Sequence, residues 1–357
     1  MGPTGRGWQK KGSNSSIMDS TGGKMLLVTG PTGHIGNVLV RELVERGKKV
    51  RALVLPQDDL TPLMGLDVEL VLGDVLHPHT LARAFTGVEE VYHLAGMISI
   101  MPKRDDLVHR VNVEGTKNVL AAAKEAGIRR MLYTSSIHAL KRMPDGITID
   151  ESVPFDPEGV PGHYDQSKAE ASLAVLEAAR QGMDTVIVCP TGVTGPYDYK
   201  RSEIGQIILD CIEEKLQFYV DGAYDFVDVR DVAQGMILAQ DKGRSGETYI
   251  LSGERITVKG LVETLWELTG KRFMQMKVPN ALASFAANFT PSYYRLMRKK
   301  PRITPYSIET LASNSVITHE KASRELGYQP RLLKESLADA VQWFLENKRL
   351  VSSASKG

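Results

Sequence analysis

The sequence predicts an α/β fold: a doubly wound parallel sheet followed by a smaller, discontinuous C-terminal lobe. Three observations predict it. Short, nearly continuous apolar runs alternate with amphipathic stretches of helical period over the first 190 residues, the pattern of strands covered on both faces by crossing helices. A glycine-rich segment, Gly30-Pro31-Thr32-Gly33-His34-Ile35-Gly36, joins the first apolar run to the first helical stretch. After Pro190 the regularity weakens, and helical pieces are separated by Pro and Gly.

Residues 1 to about 23 are rich in Gly, Ser, Thr and Lys and lack apolar periodicity, so a disordered extension is expected, with Met18 and Met25 as alternative starts. From Lys24 the elements begin. Residues 25–28 form a short buried strand. Ile35, Val38, Leu39 and Leu43 share one helical face, and Gly47 ends that helix. Residues 50–55, 68–72 and 91–95 read as the second to fourth strands. A helix over about 106–126 stops at Gly127, 131–135 is the fifth strand, a second long helix runs from near Tyr164 to Gly182, and 185–189 is the sixth strand. Beyond Pro190, stretches 205–216, 258–269 and 281–289 read as helical, and 226–233 as a return to the sheet. The expected division is a sheet domain of 24–190 plus about 224–252, a lobe of about 191–223 and 253–345, and a flexible tail over 346–357.

Composition bounds the function. A chain of 357 residues, 42% hydrophobic, is long enough for one large domain with an added lobe, or for two domains. A net charge of +1 creates no field that would draw in nucleic acid, so no such partner is expected. Cys189 closes the apolar run Val186-Ile187-Val188 and, like Cys211, reads as a free thiol rather than a disulfide partner or metal ligand. That usage fits a reducing cytoplasm. No apolar run reaches the roughly 18 residues of a membrane span, and the N-terminus lacks a signal-peptide core. The basic run from Tyr293 to Lys300 follows an apolar piece and has the makings of a membrane-surface contact; a packed helix with a solvated basic end is the preferred reading. His77 and His79 straddle Pro78 without a third ligand, so they read as solvated loop histidines and no metal is expected.

Ligands of parallel sheets bind at the carboxyl ends of the strands. The chemistry-bearing residues fall there: Gly30 after the first strand, Asp74 after the third, Gly96 after the fourth and Ser136 after the fifth. Gly30, Gly33 and Gly36 follow a strand and open a helix, the spacing that lets backbone approach a dinucleotide pyrophosphate at a helix N-terminus. The backbone of His34, rather than its ring, is expected to matter. The second strand ends Leu53-Val54-Leu55, with Asp58 and Asp59 slightly late and Arg51 inside the strand, so the choice between NAD and NADP stays open. Tyr164 and Lys168 lie one helical turn apart on a shared face. A phenol titrating near 10 is a poor base at neutral pH; a neighbouring ammonium and an oxidised nicotinamide would lower it and suit proton exchange with a carbonyl or alcohol. Of Ser135 and Ser136, one hydroxyl is expected to hold a substrate carbonyl and the other to cap a loop.

With Gly73-Asp74-Val75, His93-Leu94-Ala95-Gly96, Val111-Asn112-Val113-Glu114-Gly115-Thr116, Tyr133-Thr134-Ser135-Ser136, Pro190-Thr191-Gly192-Val193-Thr194-Gly195-Pro196 and the stretch from Lys321 to Tyr328, the chain resembles the extended short-chain dehydrogenase/reductase family, also called the NAD-dependent epimerase/dehydratase family, from about residue 25 to 345. The resemblance implies a Rossmann-type sheet and a second, substrate-binding lobe. It implies Ser136 as the substrate-orienting hydroxyl, Tyr164 as acid/base, and Lys168 as its activator and a ligand of the nicotinamide ribose. Gly30, Gly33, Ile35 and Gly36 would surround the pyrophosphate. Asp74, with Val75 beside it, would meet the adenine, Ala95 and Gly96 would line the adenosine side, and Pro190 and Val193 would approach the nicotinamide. Ser136 is followed by Ile137-His138, not the Asp-Glu pair of sugar-nucleotide dehydratases, and Cys189-Pro190-Thr191 is more similar to the dihydroflavonol reductase and 3β-hydroxysteroid dehydrogenase branch. The leading expectation is an NAD(P)-dependent reductase/dehydrogenase of a ketone, aldehyde or secondary alcohol. A nucleotide-sugar epimerase and a non-catalytic dinucleotide-sensing regulator are the alternatives. The resemblance further implies a homodimer packed through the two long helices, with Ala169, Ala171, Ala174, Ala178 and Ala179 as small contact residues.

Overall fold

Seven parallel strands form the central layer of the chain, seen in a computed structural model that describes residues 24–98, 105–215, 217–271, 275–279 and 305–347. The extension 1–23, the helix expected over 281–289, the basic run 293–300 and residues 348–357 of the expected tail lie outside the described residues. The strands in chain order are β1 (Met25–Thr29), β2 (Lys49–Val54), β3 (Glu69–Leu72), β4 (Val88–His93), β5 (Arg130–Thr134), β6 (Thr185–Pro190), β7 (Gly192–Thr194), β8 (Gln217–Tyr219), β9 (Ala223–Asp228), β10 (Thr248–Leu251), β11 (Glu254–Thr257) and β12 (Gln275–Lys277). The helices are α1 (His34–Glu45), α2 (Pro78–Phe85), α3 (Asp105–His109), α4 (Gly115–Glu125), α5 (His163–Arg180), α6 (Glu203–Ile212), α7 (Val229–Lys242), α8 (Val258–Thr269), α9 (Pro305–Ala312), α10 (Glu320–Leu326) and α11 (Leu333–Glu346).

The main sheet runs β10-β6-β5-β4-β1-β2-β3. Strand order reverses between β1 and β4, which opens a crevice above their carboxyl ends. Strand side chains alternate between faces. Leu26 and Val28 therefore join the layer closed by Val38, Leu39 and Leu43 of α1 and Val232 and Met236 of α7. Leu27 points the other way, into the layer closed by Leu81, Leu120 and Val175 of α2, α4 and α5. Cys189 is fully buried in that second layer. A third core lies outside the sheet, where Ile208 and Cys211 of α6 meet Leu265 of α8 and Leu337 and Phe344 of α11.

Four expectations need correction. Stretch 226–233 does not rejoin the sheet: β9 ends at Asp228, pairs with β7 and β11 in a small separate sheet, and α7 starts at Val229. The Asp228 carboxylate caps that helix by accepting the Arg230 N–H at 2.7 Å, and the seventh strand of the main sheet is β10. The histidines beside Pro78 are exposed but belong to a helix start, since Pro78 opens α2, where its missing N–H costs nothing. The helix expected over 106–126 is interrupted by a π-helical turn at Arg110–Glu114. Of the five alanines on α5, Ala169 and Ala171 are buried within the chain; Ala174 and Ala178 line an outer groove between α4 and α5. Among the described residues, no helix is long and apolar enough to cross a membrane.

Candidate active site

The loop between β1 and α1 is shaped by two glycines, while a third is shaped by nothing in the protein. Gly30 has φ +69°, and a Cβ there would lie 2.8 Å from the Ala95 nitrogen. A Cβ on Gly36 would collide with the Gly30 carbonyl oxygen, so α1 meets the loop only because that residue is bare. Gly33 is different. Its φ −73° and ψ 169° suit any residue, and its Cβ would meet only the Gly30 oxygen, at 3.3 Å. As N-cap of α1 it offers no side chain to the first-turn N–H groups. Those donors and the positive end of the helix suit an anion, so the loop fits a dinucleotide pyrophosphate, with Ile35 in its first turn.

Neighbouring segments hold this loop from both sides. The His34 ring, contrary to expectation, takes part: its Nε2 lies 2.9 Å from the Pro196 carbonyl oxygen. Asn37 Nδ2 donates to Gly33 O at 2.8 Å and to Tyr197 O at 3.2 Å. The Thr29 hydroxyl accepts the N–H groups of Leu94 and Ala95 at 3.1 and 3.0 Å and pairs with His93 Nδ1 at 2.7 Å. His93 Nε2 in turn reaches Thr116 Oγ1 at 3.0 Å. Burial, reinforced by the charge of Lys168, pushes His93 down to about 3, so the ring stays neutral and links the two threonines. Ala95 and Gly96 are thereby fixed at the crevice, with Lys168 Nζ 3.9 Å from where a Gly96 Cβ would stand.

The residues expected to meet the adenosine are partly engaged within the chain. Asp74 follows β3; its Oδ1 accepts the Leu76 N–H at 2.9 Å and its Oδ2 faces His77 Nδ1 at 3.2 Å. Val75 is buried beneath it and packs against Gly115. After β2, Asp58 accepts the Leu55 N–H at 3.1 Å, and Asp59 accepts both the N–H and the hydroxyl of Thr61. Arg51 is committed to Glu69 and to the carbonyls of Ala84 and Thr86.

On the other side of the crevice, Gly162 adopts φ +84° and starts α5 one residue before His163. The Ser136 hydroxyl lies close enough to the Tyr164 phenol to act on its titration. Burial pushes the phenol up to about 12, and the nearby Ser136 hydroxyl opposes the rise. The protein's own groups therefore do not lower it as the spacing suggested. The reason is where Lys168 points: its Nζ donates to Thr134 O at 2.5 Å and sits 4.5 Å above the centre of the Tyr133 ring. Only 6% exposed, Lys168 is pulled down to about 7 by burial. Ser135 is structural, its hydroxyl 2.6 Å from that of Ser172. Ser136 caps a short 3-10 turn, its hydroxyl accepting the His138 N–H at 3.2 Å. Pro190 ends β6 beside β5, and Val193 lies in β7, in register with Val227 of β9.

Two groups escaped the sequence reading. Asn112, in the π-helical turn, donates to Ser167 Oγ at 2.9 Å and Met97 O at 3.1 Å and accepts the Met97 N–H at 2.7 Å. It thereby ties the Gly96 loop to the helix bearing Tyr164 and Lys168. A polar cluster also surrounds the start of α5. Tyr306 of α9 donates to Asp165 Oδ1 at 2.7 Å, Arg142 stands 3.5 Å from Asp165 Oδ2, and Tyr224 bonds His138. Burial raises the Asp165 carboxyl to about 7. Asn112 stood inside a quoted motif without a role, and Asp165 stood between Tyr164 and Lys168 with nothing to mark it.

With this geometry in place, comparison with known proteins is informative. The sequence profile of the NAD dependent epimerase/dehydratase family matches residues 26–252. Sterol demethylase protein B of Methylococcus capsulatus is 37% identical over 324 residues, covering 90% of this chain and 98% of that protein. A 4-hydroxy-2-methyl-3-oxo-4-farnesyl-3,4-dihydroquinoline-1-oxide ketoreductase of Stigmatella aurantiaca is 32% identical over 321 residues, covering 88% and 95%. Among solved structures, that of gox2253 superposes with a TM-score of 0.81 at 35% identity, covering 91% of this chain and 99% of that one.

Proposed function

The chain belongs to the NAD dependent epimerase/dehydratase family, in its extended short-chain dehydrogenase/reductase branch, and on that premise we propose that it interconverts a carbonyl and an alcohol with Ser136, Tyr164 and Lys168. The observation that carries this reading is the position of Tyr164, at the start of α5, beside Ser136 at the carboxyl end of β5, with Lys168 buried one turn along the same helix. When bound, the nicotinamide dinucleotide supplies or accepts a hydride. Ser136 holds the substrate oxygen. Tyr164 gives that oxygen a proton in reduction and takes it back in oxidation. Lys168 holds the nicotinamide ribose, and it is the charge of the oxidised nicotinamide, beside that of Lys168, that would favour the phenolate once the dinucleotide is bound. The names of the ketoreductase and sterol-directed relatives support a carbonyl carried on a large apolar skeleton. The outer groove between α4 and α5, lined by Leu173, Ala174 and Ala178, supports a homodimer.

The test is a panel of steroid, flavonoid, aldehyde and nucleotide-sugar substrates with both dinucleotides, repeated with Tyr164→Phe. That variant keeps the ring, so the dinucleotide should still bind while kcat falls roughly 10² to 10⁴-fold. Retention of most turnover by Tyr164→Phe overturns the assignment. A dinucleotide that survives extensive dialysis would favour the epimerase reading, because a reductase must exchange it at every turnover.

A further inference from the structure

Lys200 is an exposed lysine on the segment after β7, and its ammonium lies 3.2 Å from the Thr32 hydroxyl inside the glycine loop. The segment is held there by contacts to α1, among them a bond from Arg41 to the Tyr199 hydroxyl at 3.4 Å. Pro196 O meets the His34 ring, Tyr197 O accepts from Asn37, and the Arg41 guanidinium lies 4.6 Å over the Tyr197 ring. Among the described residues, no carboxylate comes within ion-pair distance of Lys200, yet its charge acts on Asp59 in the turn after β2. The ammonium therefore stands between the glycine loop and the end of the second strand. In this sheet topology that is where the adenosine ribose lies.

The other groups at that end are committed. Arg51 is held by Glu69 and two carbonyls, and Arg41 donates to Pro62 O at 2.8 Å. Asp58 and Asp59, the carboxylates placed to bind ribose hydroxyls, hold the Leu55 N–H and Thr61 instead. Thr32, buried beneath Lys200, accepts from its Nζ, so the exposed ammonium is the donor left at that end. We propose that Lys200, held by Thr32, binds the 2′-phosphate of the adenosine ribose, so that the chain prefers NADP(H) to NAD(H). The assignment rests on the dinucleotide reading of the glycine loop. A phosphate monoester carries between one and two negative charges near neutral pH, and a nearby ammonium forms a charge-assisted hydrogen bond with it. The pair is exposed, so salt screens it, and Asp59 opposes it in part.

The test is calorimetric titration of the full chain with NADPH, NADH, 2′,5′-ADP and 5′-ADP, at low and at high salt. Lys200→Met should weaken NADPH and 2′,5′-ADP by about 10 to 100-fold, in the range of one charge-assisted contact. NADH and 5′-ADP should stay within about twofold, high salt should shrink the wild-type preference, and Lys200→Arg should restore most of it. Equal losses on NADPH and NADH would place the ammonium on the pyrophosphate and overturn the proposal. So would an unchanged NADPH affinity, or a wild-type chain that prefers NADH. A wild-type chain that binds neither dinucleotide would overturn the glycine-loop reading as well, whereas NADH binding with no Lys200 effect leaves that reading intact.

Discussion

Two glycines three residues apart should respond to substitution in opposite ways. At Gly36 an added methyl meets the backbone oxygen of Gly30, which no side-chain rearrangement can relieve. Gly36→Ala should therefore cost about 3 kcal/mol, at the upper end for overpacking, and lower the Tm by roughly 6 to 12 °C. At Gly33 the backbone is extended and the one near contact is 3.3 Å. Gly33→Val should leave folding stability within about 1 kcal/mol of wild type, because the restricted unfolded chain offsets mild crowding. What Gly33→Val should lose is the dinucleotide. Its methyls would occupy the approach to the first-turn N–H groups of α1, and affinity should fall at least ~100-fold, or about 2.7 kcal/mol. Thermal unfolding and calorimetric titration of both variants with NADH and NADPH read the two effects separately. A folded Gly33→Val that binds either dinucleotide within threefold of wild type would refute the claim that Gly33 is bare for a ligand's sake.

Lys168→Met should lower kcat and also weaken dinucleotide affinity, whereas Ser136→Ala should act on kcat alone; an unchanged affinity in the lysine variant would separate Lys168 from the ribose. Asp165 faces Tyr306, Arg142 and Glu309, and its carboxyl is raised from 3.8 to about 7. The neutral acid stabilises the fold fully below about pH 4, and that contribution is lost as pH rises through 7. Asp165→Asn cannot ionise, so its Tm should gain on wild type between pH 5 and pH 8; a constant difference across that window would contradict the burial effect. Leu173→Glu, in the groove between α4 and α5, should turn the proposed dimer into a monomer by light scattering, and a wild-type chain already monomeric at micromolar concentration would dispose of the dimer.

Much of this architecture could be read from the chain because local signals and tertiary demands agree there. Near-continuous apolar runs became strands buried on both faces, and Gly30, Gly33 and Gly36 fell on the strand-to-helix junction that their spacing required. The stretch 226–233, read as a return to the sheet, instead holds the end of β9 and the start of α7. Buried Val229, Val232, Ala233, Met236 and Ile237 repeat with the period of a helix, and Asp228 is a fitting cap, so the signal was present. The π-helical turn at Arg110–Glu114 had no such signal, since its extra residue is fixed by what Asn112 must reach. Tyr306 was equally hidden: nothing local to 305–312 says that it meets the start of α5. The phenol titration was misjudged for a related reason, because helical spacing placed Lys168 beside Tyr164 but gave no hint that Thr134 O and the Tyr133 ring would claim the ammonium.

The bond between Tyr306 and Asp165 spans 141 residues of sequence. On a ribosome adding about 5 to 20 residues per second, the second partner emerges roughly 7 to 28 s after the first. Within that interval the rest of α5, then β6 and finally β10 emerge and complete the main sheet, while Asp165 still lacks its phenol donor. The half that grips the dinucleotide can thus assemble on the nascent chain well before the residues around Tyr164 are complete.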